Sequence, residues 1–130
     1  MERLTPSTNL FGGAGVLSDH VDVLQGTLDM LVLKSLTWGP MHGYTVLAWL
    51  RQRSNEELRV EDAALYPALH RLEARRLIES EWGLSENNRR AKFYKLTTAG
   101  RRALRAEQSH WSRYVSVIDR IMTAPSPQRA

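Results

Sequence analysis

Residues 62–97, DAALYPALHRLEARRLIESEWGLSENNRRAKFYKLT, combine one helical pattern with two short strand-like runs. The first part places apolar residues three and four positions apart, which is the periodicity of a helix with one buried face. A polar turn separates the later runs at 78–82 and 92–96, so these runs are expected to pair as a β-hairpin. The predicted inward stripe of the helix is Leu65, Ala68, Leu69 and Leu72.

Pro67 predicts where this helix begins. A proline has no N–H to donate within a helix and fits best in the first turn, so the N-cap is expected near Ala64. The amino-terminal turn would then hold Tyr66 and Pro67, where free amides and the helix dipole favour a phosphate. The outward residues, which could read a groove, are Tyr66, Pro67, His70, Arg71 and Glu73. The proposed contacts with bases or phosphates are Tyr66, Pro67, His70 and Arg71.

Two further helices are expected before this segment. Residues 27–36 are so apolar that most sides of the first helix must be buried, and a glycine and a proline in the following WGPMHG end it. The second helix is expected from about His42 to Ser54. Its first residues, His42 and Tyr44, are candidates for backbone contact, with a local cap or turn role for His42 and a core position for Tyr44 as alternatives. The expected inward residues are Tyr44, Leu47, Ala48 and Leu50.

Three helices followed by a hairpin is the order of a winged helix-turn-helix, a mainly α fold with a small β-hairpin. In that fold the third helix enters the major groove, and the hairpin, or wing, contacts flanking backbone or the minor groove. A short bridge near 59–60 could add a third strand. The expected organisation is a disordered arm at 1–22, a winged helix-turn-helix domain at 23–97, a C-terminal dimerisation helix at 98–123 and a disordered tail at 124–130.

The C-terminal helix opens with a threonine cap signal and carries apolar residues at heptad spacing. Leu104, Trp111 and Ile118 are seven apart, which is typical of a coiled-coil seam. The helix could instead pack back on its own domain, but a small three-helix core has little surface to cover it. A second identical chain is the expected cover, and it would form a homodimer. The predicted interface residues are Leu104, Trp111, Tyr114, Val115, Ile118, Ile121 and Met122.

Basic residues are concentrated around the predicted wing. The chain has 18 Lys and Arg against 14 Asp and Glu, and its isoelectric point near 9.8 favours an anionic partner. Seven basic residues and no acid lie between 89 and 105. An isolated charge run is usually a solvated face, but a basic hairpin that follows a helix is suited to gripping a nucleic-acid backbone. The predicted wing contacts are Asn88, Arg89, Arg90 and Lys92.

Several kinds of site are not expected. The chain has no cysteine, so a disulfide scaffold or thiolate metal site is excluded and a cytoplasmic location is expected. The histidines show no paired metal spacing, and neither metal nor cofactor is expected. The apolar run at 28–36 is interrupted by Asp29 and Lys34 and is too short for membrane insertion. An enzyme is not expected, because the sequence lacks a glycine-rich phosphate loop, a nucleophile elbow and a paired set of acids.

The stretch 24–122 resembles the PadR family of bacterial transcriptional regulators, most of all its short branch with a single C-terminal dimerisation helix. The similarity lies in LQGTLDMLVLKSL at 24–36, HGYTVLAWL at 42–50, LYPALHRLE at 65–73, NNRRAKFYKLTTAGR at 87–101 and EQSHW at 107–111. The resemblance implies a homodimer that binds double-stranded operator DNA, usually as a repressor. In some members a small aromatic effector releases the DNA. A winged-helix module that binds protein or RNA through the same basic face is the alternative function.

The resemblance also bears on three positions. In the multidrug-sensing branch a tryptophan of the last helix lines a pore between subunits, and it falls on Trp111, which makes this residue a possible ligand contact. The alternative is that Trp111 only fills the dimer core. This chain has Ala63 and Ala64 where members commonly have Gly-Ser, so a serine cap is missing. Arg76 stands where members often have a glycine suited to the left-handed conformation at a helix end.

Overall fold

The computed structural model describes residues 21–22 and 26–127. Among the described residues, no helix is both long and apolar enough to cross a membrane. The elements in chain order are β1 (Val21–Asp22), α1 (Leu28–Ser35), β2 (Met41–His42), α2 (Gly43–Arg53), β3 (Leu58–Arg59), α3 (Asp62–Ala74), β4 (Ile78–Leu84), β5 (Arg90–Leu96) and α4 (Thr98–Met122).

The core lies between α1, α2, α3 and the inner face of the β4–β5 hairpin. From α3 it receives the predicted stripe of Leu65, Ala68, Leu69 and Leu72, all fully buried, so this prediction is confirmed. Burying one such leucine contributes about 1.5–3 kcal/mol relative to leaving it exposed. The opposite face of α3 is thereby held outward.

The buried face of α2 differs from the predicted one. The inward residues are Gly43, Val46, Leu47 and Leu50, whereas Tyr44 is 71% exposed and Ala48 is exposed too. The observed set follows the three-, four- and seven-residue spacing of one helix face, and Tyr44 and Ala48 are each rotated by about 100° from it. A core position for Tyr44 is therefore wrong.

The start of α3 also differs from the prediction. Glu61 is the N-cap instead of Ala64, and its carbonyl accepts from the amides of Ala64 and Leu65 at 3.0 Å each. Pro67 therefore lies inside the helix and not in its first turn. A proline there leaves the carbonyl four residues earlier without its helical donor. That carbonyl belongs to Ala63, which is exposed, so the loss is not a buried one.

The end of α3 has the left-handed conformation that the sequence indicated at Arg76. Arg76 has φ 62°, in the left-handed region. Its amide donates to the carbonyl of Glu73 at 2.9 Å, and the amide of Leu77 donates to Leu72 at 3.0 Å. These two bonds form a Schellman motif, in which glycine is the usual residue at the position of Arg76. The chain then enters β4 at once.

The predicted hairpin forms, with longer strands than expected. β4 and β5 pair antiparallel from Ile78 opposite Leu96 to Leu84 opposite Arg90, and β2 adds a third strand on the other side of β5. The third strand was expected near 59–60, but β3 pairs in parallel with β1 in a separate sheet. Residues 21–22, expected in the arm, are therefore paired, while 1–20 lie outside the described residues.

The helix α4 begins at a threonine cap, as predicted. Its first turns pack against the domain, and Gly100 and Leu104 are buried there. A Cβ on Gly100 would collide with the carbonyl oxygen of Leu77, so the two backbones touch at this point. Leu104, predicted at the dimer interface, instead lies in the core of its own chain. Residues 124–127 have no regular structure, and 128–130 lie outside the described residues.

Candidate nucleic-acid interface

The exposed face of α3 carries the residues predicted to contact nucleic acid. Tyr66, Pro67, His70 and Arg71 are all exposed. The ring of Tyr66 packs against Gly43, the first residue of α2. A Cβ at Gly43 would lie only 2.6 Å from the Tyr66 hydroxyl oxygen. Any larger residue at Gly43 would displace the ring. Gly43 thus permits Tyr66 to lie across the start of α2.

Arg71 is held at one edge of this face. Its Nη2 donates a hydrogen bond to Oδ1 of Asp29, in the first turn of α1, at 2.7 Å. The bond and the negative charge of Asp29 raise the pKa of the guanidinium. The guanidinium is therefore charged, and its bond to Asp29 directs it toward the first turn of α1.

The turn between β4 and β5 presents two arginines. Asn88 has φ 61°, and its amide donates to the carbonyl of Ser85 at 2.8 Å, which closes the turn. Arg89 and Arg90 follow and are exposed. The guanidinium carbon of Arg90 lies 4.7 Å from the ring centroid of Trp82 in a cation–π contact. The flat side chain of Trp82 thus supports Arg90 from the neighbouring strand.

Lys92 points toward α3. Its Nζ lies 3.8 Å from a carboxylate oxygen of Glu73, and the other oxygen of Glu73 accepts the Ser80 hydroxyl at 2.6 Å. Glu73 therefore joins α3 to both strands of the wing. The ion pair links the wing to α3, and it engages a lysine predicted to contact DNA.

His42 is buried and not open to a partner. Its ring meets Phe93 edge-on at 5.2 Å, and its Nε2 lies 3.1 Å from the Thr45 hydroxyl oxygen. The same nitrogen lies 3.6 Å from Glu86 in the wing turn. A backbone hydrogen bond and the His42 contact hold the pKa of the Glu86 carboxyl below its ordinary value. His42 occupies the N-cap position of α2, although its side chain makes no capping hydrogen bond. Its burial disfavours the predicted contact with a nucleic-acid backbone.

Comparison with known proteins shows what this arrangement belongs to. Residues 32–106, more than half of the chain, match the transcriptional regulator PadR-like family. The chain belongs to the PadR-like family. A PadR family regulator from Eggerthella lenta superposes with a TM-score of 0.68 at 31% identity over 78% of this chain and 86% of that one. A second, from Clostridium difficile, gives a TM-score of 0.66 at 27% identity over 75% of this chain and 99% of that one.

A curated relative agrees with this assignment. A transcriptional regulator of Mycobacterium tuberculosis is 47% identical over 58 residues, which are 44% of this chain and 53% of that protein. Proteins of the PadR-like family are transcriptional regulators and not enzymes, and their fold is the winged helix-turn-helix described above. We therefore call this chain a PadR-like regulator, and α3 its recognition helix.

The outer part of α4 exposes an apolar face in this PadR-like chain. The ring centroids of Trp111 and Tyr114 are 5.9 Å apart, and Trp111 is half-buried. The exposed large apolar residues on this part of the helix are Tyr114, Val115, Val117, Ile118, Ile121 and Met122. Apart from Leu104 in the core, the predicted interface residues thus lie on the part of α4 that extends beyond the domain.

Asp29 and Trp82 were not predicted at the interface, and neither was the contact between the outward Glu73 and the wing. Trp82 could have been found from the hairpin register, because it lies diagonally across from Arg90. The two carboxylates have no such local signal. Asp29 is 42 residues from its partner, and the Glu73–Lys92 pair depends on how the wing packs on α3.

Proposed function

We propose that this PadR-like regulator binds double-stranded operator DNA as a cytoplasmic homodimer. The recognition helix would enter the major groove, and the turn between β4 and β5 would contact flanking phosphates or the minor groove. The observation that carries this proposal is the pair Arg89 and Arg90 on the wing turn. Neither has a carboxylate partner among residues 26–127, and both are exposed.

Binding to duplex DNA is tested with the purified full chain and a random duplex pool. We expect selection to enrich a twofold-symmetric site with two half-sites, because a homodimer presents two recognition helices. Affinity for the enriched duplex should fall steeply with salt, as arginine and lysine displace counterions from phosphates. A flat salt response, or equal affinity for single-stranded RNA, would favour the alternative of an RNA- or protein-binding module.

We further propose that the regulator is a repressor. The resemblance to PadR repressors supports this role. The test is footprinting on the DNA upstream of its own gene together with a reporter driven by that region. Reporter output should rise when the regulator is absent, whereas a fall would indicate an activator.

A small aromatic effector is the last part of the proposal. The supporting observation is the Trp111–Tyr114 ring pair on the exposed part of α4, since facing pairs from two chains would offer flat apolar surfaces. Titration with a planar aromatic dye should quench tryptophan fluorescence. The chain has four tryptophans, so the control is Trp111→Leu. Undiminished quenching in this variant would place dye binding elsewhere.

A further inference from the structure

The ion pair between α1 and the recognition helix limits what Arg71 can do. Asp29 Oδ1 lies 2.7 Å from Arg71 Nη2, and the side chains are 27% and 55% exposed, respectively. The Asp29 carboxylate is thus the less exposed partner, and it lies on the first turn of α1, which packs in the core. Arg71 is the more exposed partner and can turn away from it.

A carboxylate and the acceptors of DNA bind the same N–H groups of an arginine. The guanidinium is a planar fork that binds carboxylate, phosphate or the O6 and N7 acceptors of guanine through paired N–H groups. Contact with DNA through Nη2 therefore has to replace or share the bond to Asp29. Asp29 engages Arg71 through Nη2 alone, so the remaining N–H groups can contact a base while the bond to the carboxylate is kept.

We propose that Asp29 is a specificity-determining residue of this regulator. Its carboxylate orients Arg71 in the free protein and keeps its bond to Nη2 while the remaining N–H groups contact a preferred base. On mixed-sequence DNA Arg71 has to turn away to reach a phosphate, and the gain from that contact is offset by the lost pair and by a carboxylate left facing a polyanion. At a preferred site a bidentate base contact is made without losing the pair. This inference rests on the proposed binding of operator DNA.

The first test compares the full chain with Asp29→Asn on two duplexes. One duplex has a mixed sequence and the other is enriched by selection with the unaltered chain. Without the carboxylate, affinity for the mixed duplex should rise about two- to fivefold. The slope of log affinity against log salt should steepen by about 0.9 per chain, since one more phosphate is neutralised. Affinity for the selected duplex should not rise, because Arg71 loses the carboxylate that orients it toward the base, so the specificity ratio falls.

A double-mutant cycle shows whether Asp29 acts through Arg71. In the Arg71→Ala background, Asp29→Asn should no longer raise the affinity for the mixed duplex. The control Asp62→Asn removes the same charge from the first turn of α3, and its effect should be the same with or without Arg71. Asp29→Ala serves as a second variant, because an asparagine oxygen can still accept a bond from arginine.

The outcomes separate this inference from the proposed function. An unaltered chain that binds the selected duplex with a steep salt response, but whose Asp29→Asn effect persists without Arg71, overturns the inference alone. The same holds if neither Asp29 variant changes mixed-duplex affinity. An unaltered chain that binds no duplex overturns both. Loss of the effect in the Arg71→Ala background, with the Asp62→Asn effect retained, supports the role of Asp29.

Discussion

The hydroxyl of Thr97 donates a hydrogen bond to the backbone carbonyl of Arg76 across 2.8 Å. The same oxygen accepts from the amide of Gly100 at 3.0 Å, and the Thr97 amide donates to the carbonyl of Leu77 at 3.1 Å. Thr97 therefore fastens the end of the recognition helix to the start of α4. Motion of α4 relative to α3 has to break these bonds.

Thr97→Val should lower the free energy of unfolding by about 1–3 kcal/mol. Valine keeps the shape but loses both the helix cap and the bond to Arg76, and each contributes about 1 kcal/mol. Urea denaturation measures the change. The control is Thr97→Ser, which retains the hydroxyl and should lose less. A larger loss for Thr97→Ser than for Thr97→Val would mean that the methyl group, and not the hydroxyl, matters.

Replacing both wing arginines, Arg89→Ala with Arg90→Ala, should weaken binding to all duplexes alike. Phosphate contacts carry no sequence information, so the ranking of sequences should stay the same. The salt slope should become shallower by about 0.9 for each phosphate lost. Fluorescence anisotropy at several salt concentrations gives both quantities. The matched control is Arg102→Ala with Arg105→Ala, which removes equal charge from the exposed side of α4. Equal losses in both pairs would indicate a net-charge effect only.

His70→Ala should change which sequences are preferred. His70 is exposed on the face of α3 opposite the buried stripe, where a recognition helix contacts base edges. Discrimination at one base pair of each half-site should fall by about 1–3 kcal/mol. Competition with single-substitution duplexes measures it. A preference profile identical to that of the unaltered chain would remove His70 from the base contacts.

Trp111→Asp should convert the proposed dimer into monomers. The substitution places two like charges in an apolar seam, where uncompensated burial is strongly unfavourable. Light scattering over a range of protein concentrations follows the mass. Trp111→Leu keeps the position apolar and should remain dimeric. A dimer that persists in the aspartate variant would show that Trp111 lies outside the interface.

Alkaline pH should destabilise the fold through Tyr94. This side chain is only 3% exposed, and burial together with the nearby Glu73 carboxylate raises the pKa of its hydroxyl. Because the folded state holds the proton more tightly, its contribution to stability is complete below the ordinary tyrosine pKa of about 10. It is lost as pH rises through the raised value. Urea unfolding across this range should show a smaller decline for Tyr94→Phe. Parallel declines would assign the effect to other groups.

Features set by local sequence were predictable. The apolar stripe of α3, the cap at Thr97 and the left-handed position of Arg76 each depend on residues within a few positions of one another. The rule that proline fits the first turn failed at Pro67, because an exposed carbonyl tolerates a missing donor. Local rules hold where the local bonds dominate the energy.

Features set by packing between elements were not predictable. Heptad spacing placed Leu104 in the α4 seam, but the first turns of α4 are close enough to α1 and the wing for its side chain to join the core. The Asp29–Arg71 and Glu73–Lys92 pairs also arise only after the elements dock. A charge pattern along the chain cannot reveal which cations are already engaged.

A single residue, Thr97, separates the end of β5 from the start of α4. This short junction bears on how the DNA sites of such regulators can change in evolution. In the proposed dimer, the way two α4 helices meet sets the distance between recognition helices, while exposed side chains of α3 set the preferred bases. Substitutions on the outer part of α4 can therefore change half-site spacing and leave the half-site sequence unchanged. A duplicated gene thus has two independent evolutionary routes to a new operator.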